Sequence, residues 1–95
     1  MAKTQAQLVS DADSWVNYRR WAKVASSNVL AIHYDKKDLI LSVQFKGTAK
    51  GVKYPIYTYS GLPSQVAKDM YLAGSKGKYV WRVLRAGTYP VAGPM

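Results

Sequence analysis

Residues 39–46 read LILSVQFK, and this stretch decides the fold. Apolar residues at every second position alternate with mostly polar ones, which gives a period of two. The two sets are Leu39, Leu41, Val43 and Phe45 on one side and Ile40, Ser42, Gln44 and Lys46 on the other. Because successive side chains of a strand point to opposite faces, the pattern predicts a strand with one buried face and one mostly polar face.

Two further strands are predicted on either side of this one. Val29–Tyr34 is predicted as a strand, and Asp35–Asp38 is typical of a hairpin turn. After the loop Gly47–Lys53, which holds two glycines and two lysines, Tyr54–Tyr59 is predicted as the third strand. Pro55 lacks an N–H donor and indicates an edge position or the start of a strand. This order predicts a three-stranded antiparallel meander.

A helix is predicted before the sheet. Ser10 can accept a hydrogen bond from a free N–H at a helix start, and the acids that follow it favour the first turn. We expect this helix to run to about Ala22, after a tail formed by residues 1–9. Trp15, Tyr18 and Ala22 share one of its faces at spacings of three and four.

Two more helices are predicted after the sheet. Pro63 suits the first position of one helix, and Gly74 suits its end. Ser75 can cap the last helix, which spans about Lys76–Arg85. The fold class is therefore α+β: an N-terminal helix, a three-stranded antiparallel meander and two C-terminal helices, with the helices on one face of the sheet. The expected divisions are an N-terminal tail and helix, the main domain and a C-terminal tail: 1–23, 24–90 and 91–95.

Length and composition exclude several classes of protein. A chain of 95 residues fits one domain. The absence of cysteine excludes disulfides, thiolate metal sites and cysteine nucleophiles. No apolar run approaches the roughly 20 residues of a membrane span, and no signal peptide is visible. We therefore expect a cytoplasmic protein.

Charge is the most informative property of the composition. The chain has 14 Lys and Arg against five acids, all Asp, for a net charge of +9. The half from Phe45 onward carries +7 of that total, with Asp69 as its single acid. Clustered cations in so basic a chain are typical of proteins that bind polyanions. Alternatively, the positive charge serves solubility, or it allows the protein to pack within an acidic assembly.

The last predicted helix has an apolar side and a cationic side, as expected at about 100° per residue. The two sets are Val80, Val83 and Leu84 on the apolar side and Lys78, Arg82 and Arg85 on the cationic side. Trp81 lies beside the cations. An exposed indole there can stack on a base while the cations hold phosphates. In the alternative, Trp81 packs against the N-terminal helix, because tryptophan is usually buried.

Two other features suggest contacts with nucleic acid. Tyr57 and Tyr59 are two residues apart and point to one face of their strand. On an open face they could stack bases, whereas beneath helices they would belong to the core. Gly74–Lys78 resembles a phosphate cradle at a helix start, and a plain capped turn is the alternative. It is not a Walker A loop, because Leu72 stands where that pattern requires glycine.

Enzymatic and metal chemistry has little support in the sequence. His33 is the only histidine, and the scattered Asp residues give no metal-ligand spacing. Without Glu, paired-carboxylate catalysis is poorly supported. We predict no catalytic residue, no metal and no cofactor. A ribonuclease resembling the RelE-like toxins remains a minor alternative, because Lys, Arg and Tyr can promote RNA cleavage through positioning and charge.

Several short motifs, in their order and spacing, resemble one family. They are Ser26-Ser27-Asn28, Tyr34-Asp35, Phe45, Tyr57-Thr58-Tyr59, Pro63, Ser75-Lys76-Gly77-Lys78-Tyr79, Arg85 and Tyr89-Pro90. The resemblance, over about Val24 to Pro90, is to the KTSC domain, named for the carboxyl terminus of some lysyl-tRNA synthetases and found also in small bacterial and phage proteins. The loop Gly47–Lys53 and the pair Val80-Trp81 depart from the family pattern. RNA binding has been suggested for this family, so the resemblance implies an RNA-binding module.

Two hypotheses of function follow. The first is a module that binds RNA or another single strand through phosphate-binding cations and base-stacking aromatics: Lys50, Lys53, Tyr57, Tyr59, Lys76, Lys78, Trp81, Arg82 and Arg85. The second is a protein-interaction or assembly component, such as a phage accessory or host-directed protein, which docks on an acidic partner or on a second copy. Its surface would be the aromatic N-terminal helix, through Trp15, Tyr18, Arg19 and Trp21.

Overall fold

The centre of the fold is an antiparallel sheet built on the three predicted strands. The structure is a computed structural model that describes residues 3–84 and 88–95. Its elements in chain order are α1 (Gln5–Asn17), β1 (Ala22–Lys23), β2 (Val29–Asp35), β3 (Ile40–Phe45), β4 (Thr48–Ala49), β5 (Val52–Lys53), β6 (Ile56–Tyr59), α2 (Ser64–Leu72), α3 (Lys76–Tyr79) with a π-helical turn (Val80–Leu84), and β7 (Val91–Ala92). The α+β class, with an N-terminal helix and two later helices, is confirmed.

The sheet has two strands that the sequence pattern does not predict. Its strand order is β1-β2-β3-β6-β7, so the predicted meander β2-β3-β6 forms the middle and two short strands form the edges. A strand of two residues shows no alternation, which explains why β1 and β7 were missed. Leu39, placed above in the inward set, lies instead in the turn before β3, with φ 56 and 41% exposure.

A second hairpin occupies the predicted loop between β3 and β6. Strands β4 and β5 pair with each other and not with the main sheet. Lys50 and Gly51 join them with φ values of 49° and 80°. Two successive positive φ values are typical of a tight hairpin turn. The N–H of Tyr54 donates to the carbonyl of Gly47 at 2.8 Å and closes the base of this hairpin.

One face of the sheet is buried beneath the helices. Tyr34, Leu41 and Tyr59 lie side by side across the three long strands and are at most 3% exposed. They belong to one apolar cluster with buried side chains of α1, α2 and the π-helical turn. The Tyr34 hydroxyl donates to the carbonyl of Leu62 at 2.6 Å, so this buried polar group is satisfied. The next row of side chains, including His33, points to the opposite face and lies outside the cluster.

The first helix begins earlier than Ser10, where the sequence analysis placed its start. Thr4 is the N-cap, and its hydroxyl accepts the N–H of Gln7 at 3.2 Å. The side chain of Gln7 in turn accepts the N–H of Thr4 at 2.8 Å. This reciprocal capping box satisfies two N–H groups at once, whereas Ser10 lies inside the helix.

The first helix also ends earlier, at Asn17 and not near Ala22. The indole N–H of Trp15 donates to the carbonyl of Arg20 at 2.9 Å and holds the chain in a turn. Within that turn Arg19 has a φ of 48°, which is incompatible with a continuing helix. Ala22 then pairs with β2 as part of the edge strand β1.

A lysine side chain closes the end of α2. The ammonium group of Lys76 donates to the carbonyl of Tyr71 at 2.9 Å and to that of Ala73. The last carbonyls of a helix have no partner within the helix, and a cation there is also favoured by the helix dipole. Burial lowers the pKa of Lys76.

The last helix starts as predicted but changes its winding. The Ser75 hydroxyl accepts the N–H of Lys78 at 3.4 Å, which confirms Ser75 as the cap. After Tyr79 the backbone continues as the π-helical turn rather than as the predicted α-helix. A Cβ atom at residue 77 would lie only 3.0 Å from the side-chain nitrogen Nδ2 of Asn28. Glycine at this position therefore allows α3 to lie against the turn before β2.

The three tryptophans offer a matched series for testing the core. We expect Trp15→Ala, with the indole 1% exposed and near Tyr71, to cost about 3–5 kcal/mol. Trp81→Ala, at 67% exposure, is expected to change stability by about 0.5 kcal/mol or less, with Trp21→Ala in between. Urea unfolding of the three variants measures this order. Equal losses for Trp15→Ala and Trp81→Ala would contradict the assignment of Trp15 to the core.

Tyr79 makes stability sensitive to alkaline pH. Its hydroxyl donates to the carbonyl of Val66 at 3.0 Å, and burial raises the pKa of Tyr79 to about 12. Since the unfolded pKa is about 10, this contribution is complete below pH 10 and is lost as the pH rises through about 12. We expect urea unfolding at pH 8 and pH 11 to show a smaller loss of stability for Tyr79→Phe than for the unmodified chain. Equal losses would contradict this assignment.

Candidate nucleic-acid interface

The π-helical turn presents an indole to solvent. Val80 and Leu84 on this turn are 3% and 1% exposed and anchor it to the core. Trp81 is 67% exposed, so the alternative in which it is buried against the N-terminal helix is wrong. Lys78 and Arg82 are exposed as well. The predicted apolar and cationic sides are therefore confirmed for Val80 and Leu84 against Lys78 and Arg82, whereas Val83 is half-buried and lines the groove with the cations.

A shallow groove lies between the end of α2 and the π-helical turn, and Trp81 does not line it. Its volume is about 350 Å³, and Ser75, Lys78, Tyr79 and Arg82 contribute to its lining. Within residues 3–84 and 88–95, neither Lys78 nor Arg82 forms an ion pair. Their charges are therefore available to an anionic ligand. Arg85, the third cation predicted for this face, lies outside the described residues.

The predicted phosphate cradle at Gly74–Lys78 needs a correction. The ammonium group of Lys76 is turned inward onto two carbonyls at the end of α2. The Ser75 hydroxyl already accepts the N–H of Lys78. The alternative of a capped turn is thus the better description, and Lys76 acts within the fold instead of facing a phosphate. The sequence offers no sign of this, because the carbonyls that it reaches belong to the preceding helix.

The two loop lysines lie on the β4–β5 hairpin. Lys50 is exposed at the tip. Lys53 is exposed on β5, and its ammonium nitrogen is 5.1 Å from the centre of the Tyr54 ring. This distance is within the range of a cation–π contact. Both lysines therefore present positive charge on the hairpin surface.

Tyr57 and Tyr59 share one face as predicted, but it is the face that the helices cover. Tyr59 is 3% exposed, and Tyr57 is half-buried with its ring edge-on to Phe45 at 5.6 Å between centroids. Stacking of bases on an open sheet face through these tyrosines is thus excluded in this fold. Both instead line a cavity of about 480 Å³. Thr48 and Tyr89 also line this cavity. The sequence does not predict that they meet there, because their approach depends on how the hairpin and the C-terminal segment fold back.

One residue of the predicted docking surface on the N-terminal helix is buried. Trp15 is 1% exposed and lies in the core, so its indole is not presented to a partner. Tyr18 and Trp21 are 69% and 46% exposed, but they lie after the helix and not on it. The Trp21 ring lies 5.4 Å from that of His33. Arg19 pairs with the carboxylate of Asp35 at 3.4 Å.

Acidic residues are separated from the cationic elements. All five lie on α1, on α2 or at the β2–β3 turn: Asp11, Asp13, Asp35, Asp38 and Asp69. The β4–β5 hairpin, α3 and the π-helical turn hold none. These elements therefore carry charge of one sign, which attracts anions, although Asp69 on α2 is close enough to Tyr79 to help raise the pKa of that tyrosine.

No group of three or more potential metal ligands lies within residues 3–84 and 88–95. In the same part of the chain, no helix is long and apolar enough to span a membrane.

Comparison with known proteins identifies the family. A model of the KTSC domain matches residues 25–89. The fold is similar to the crystal structure of a KTSC domain protein from Yersinia pestis, with a TM-score of 0.64 and 29% sequence identity over 77% of this chain and 93% of that chain. No curated protein matches the chain. Since the family model matches well over half of the sequence, the chain belongs to the KTSC domain family.

Proposed function

We propose that this chain is a small nucleic-acid-binding module for RNA or another single strand, and that Trp81 lies at the centre of its binding surface. The observation that carries the proposal is the 67% exposure of Trp81 on the same helical segment as Lys78 and Arg82, two exposed cations that form no ion pair within residues 3–84 and 88–95. An exposed aromatic ring on a positively charged surface is the usual arrangement of a site that binds a single strand. Here the neighbouring charge favours an anionic partner.

A single strand suits this surface better than a duplex. An exposed indole stacks on the face of a base, which a duplex hides within its own stack, and each such contact contributes about 1–3 kcal/mol. Lys78 and Arg82 supply the phosphate contacts that give affinity without sequence preference. The loop lysines Lys50 and Lys53 extend the positive surface. The RNA binding suggested for the KTSC family agrees with this proposal.

A second candidate is docking of an acidic protein through the turn after α1. It is supported by the exposure of Tyr18 and Trp21, since aromatic side chains are enriched at protein interfaces. Arg19 here is engaged by Asp35, whereas Arg20 and Lys23 are exposed and form no ion pair within residues 3–84 and 88–95. The indole of this turn is the less available one, because Trp21 is 46% exposed with its ring 5.4 Å from that of His33, against 67% for Trp81. Nucleic-acid binding therefore remains the first choice.

Removing the two cations tests the phosphate contacts. Fluorescence anisotropy of a labelled ten-nucleotide uridine strand, at two salt concentrations, gives the affinity and its salt dependence. We expect Lys78→Gln/Arg82→Gln to weaken binding and to make the salt slope shallower by about 1.4, at roughly 0.7 per lost phosphate contact. The matched control Lys36→Gln/Lys37→Gln removes the same charge from the β2–β3 turn, and its effect should be smaller. Equal slopes in the two double variants would contradict the assigned surface.

Replacing Trp81 tests the stacking contact separately. We expect Trp81→Ala to lose about 1–3 kcal/mol of affinity for the uridine strand while its salt slope stays unchanged. Trp21→Ala removes the other exposed indole and should bind as the unmodified chain does. A loss confined to Trp21→Ala would move the site to the turn after α1, and duplex DNA bound as tightly as the single strand would argue against stacking altogether.

A further inference from the structure

A cavity of about 480 Å³ opens between the β4–β5 hairpin, the end of the sheet and the π-helical turn. Its volume falls within the range of small-ligand sites. The residues that line it include Phe45, Thr48, Tyr57, Tyr59, Leu84 and Tyr89. We propose that this cavity takes one base of the bound strand, an inference that rests on the proposed function and adds a second base-binding site to the one at Trp81.

The walls of the cavity suit an aromatic ring with polar edges. Phe45 and Tyr57 meet edge to face at 5.6 Å, which leaves a half-buried aromatic surface on the cavity side. Leu84 adds an apolar floor, and the hydroxyl groups of Thr48 and Tyr89 bring hydrogen-bonding capacity. An apolar cavity with a few converging polar groups is the usual form of a small-molecule site.

Charge around the cavity selects a nucleotide over an aromatic amino acid. The hairpin that forms one wall carries Lys50 and Lys53, and both are exposed. Lys46 also lines the cavity, with its ammonium group held by the carbonyl of Ser26 at 2.6 Å, and no acidic residue lines it among the described residues. A ligand whose aromatic ring enters this cavity binds more favourably if the ligand also carries a negative charge, because the nearby lysines attract that charge. A base carries this charge on its own phosphate.

The cavity is also within reach of a strand that stacks on Trp81. Trp81 is exposed and Leu84, three residues later on the same helical segment, lines the cavity, so the two sites lie on neighbouring sides of that segment. A helix with its side chains is about 10–12 Å in diameter. A strand can span this width with a few nucleotides, and one molecule can then occupy both sites.

Filling the cavity tests the inference. Ala49 on β4 is half-buried and lines the cavity, so Ala49→Trp should block it. We expect Ala49→Trp to bind the ten-nucleotide uridine strand at least about tenfold more weakly than the unmodified chain, and to bind an abasic strand of equal length as the unmodified chain does. Ala6→Trp adds the same side chain at an exposed position of α1 and is the control.

The outcomes separate this inference from the proposed function. If the unmodified chain binds the uridine strand and Ala49→Trp binds it equally well, the cavity is not a base site, although the surface at Trp81 stands. If the unmodified chain binds no strand, the proposed function fails and the inference fails with it. An equal loss in Ala6→Trp would also overturn the inference.

A second measurement does not depend on the folding of any variant. Uridine 5′-monophosphate, added to the unmodified chain, should shift the NMR signals of the Tyr57 and Tyr89 rings, whereas ribose 5-phosphate should not. Unchanged ring signals would overturn the inference. A shift produced by an acidic, tyrosine-containing peptide but not by the nucleotide would also overturn it, because the cavity would then be a peptide site.

Discussion

The whole structure depends on the burial of one face of a small sheet. The row Tyr34, Leu41 and Tyr59 is covered by α1, α2 and the π-helical turn, which share one apolar cluster with it. Trp15 joins α1 to that cluster through ring contacts with Tyr34 and Tyr71, and its indole N–H donates a hydrogen bond to the carbonyl of Arg20. A chain of this size builds one core, so the choice of the covered face decides which aromatic side chains are structural and which can meet a ligand.

The periodicity of the sequence predicts which side chains of one strand or helix are buried, because that depends on residues close together in the chain. The alternation in residues 40–45 places Leu41 and Val43 in the core, and the helical period separates Val80 and Leu84 from Trp81; both assignments hold in the fold. The capping box at Thr4 is also written in the sequence, and it was missed in favour of Ser10.

Other features depend on the assembled chain and leave no local pattern. Tyr57 and Tyr59 share a face by their spacing, but the helices decide whether that face is open. The inward turn of Lys76 depends on where the preceding helix ends, and the edge strands are too short to show any period. For the same reason the cavity beside the hairpin could not be predicted, because its walls come together from four separate parts of the chain.

The edge strands have a consequence for how molecules of this protein meet one another. Strands β1 and β7 are each two residues long, and Pro90 and Pro94 on either side of β7 have no N–H to offer. A second chain can extend a sheet by pairing with a free edge, and short or proline-flanked edges discourage that pairing. Even at high concentration, this sheet is therefore a poor template for edge-to-edge aggregation.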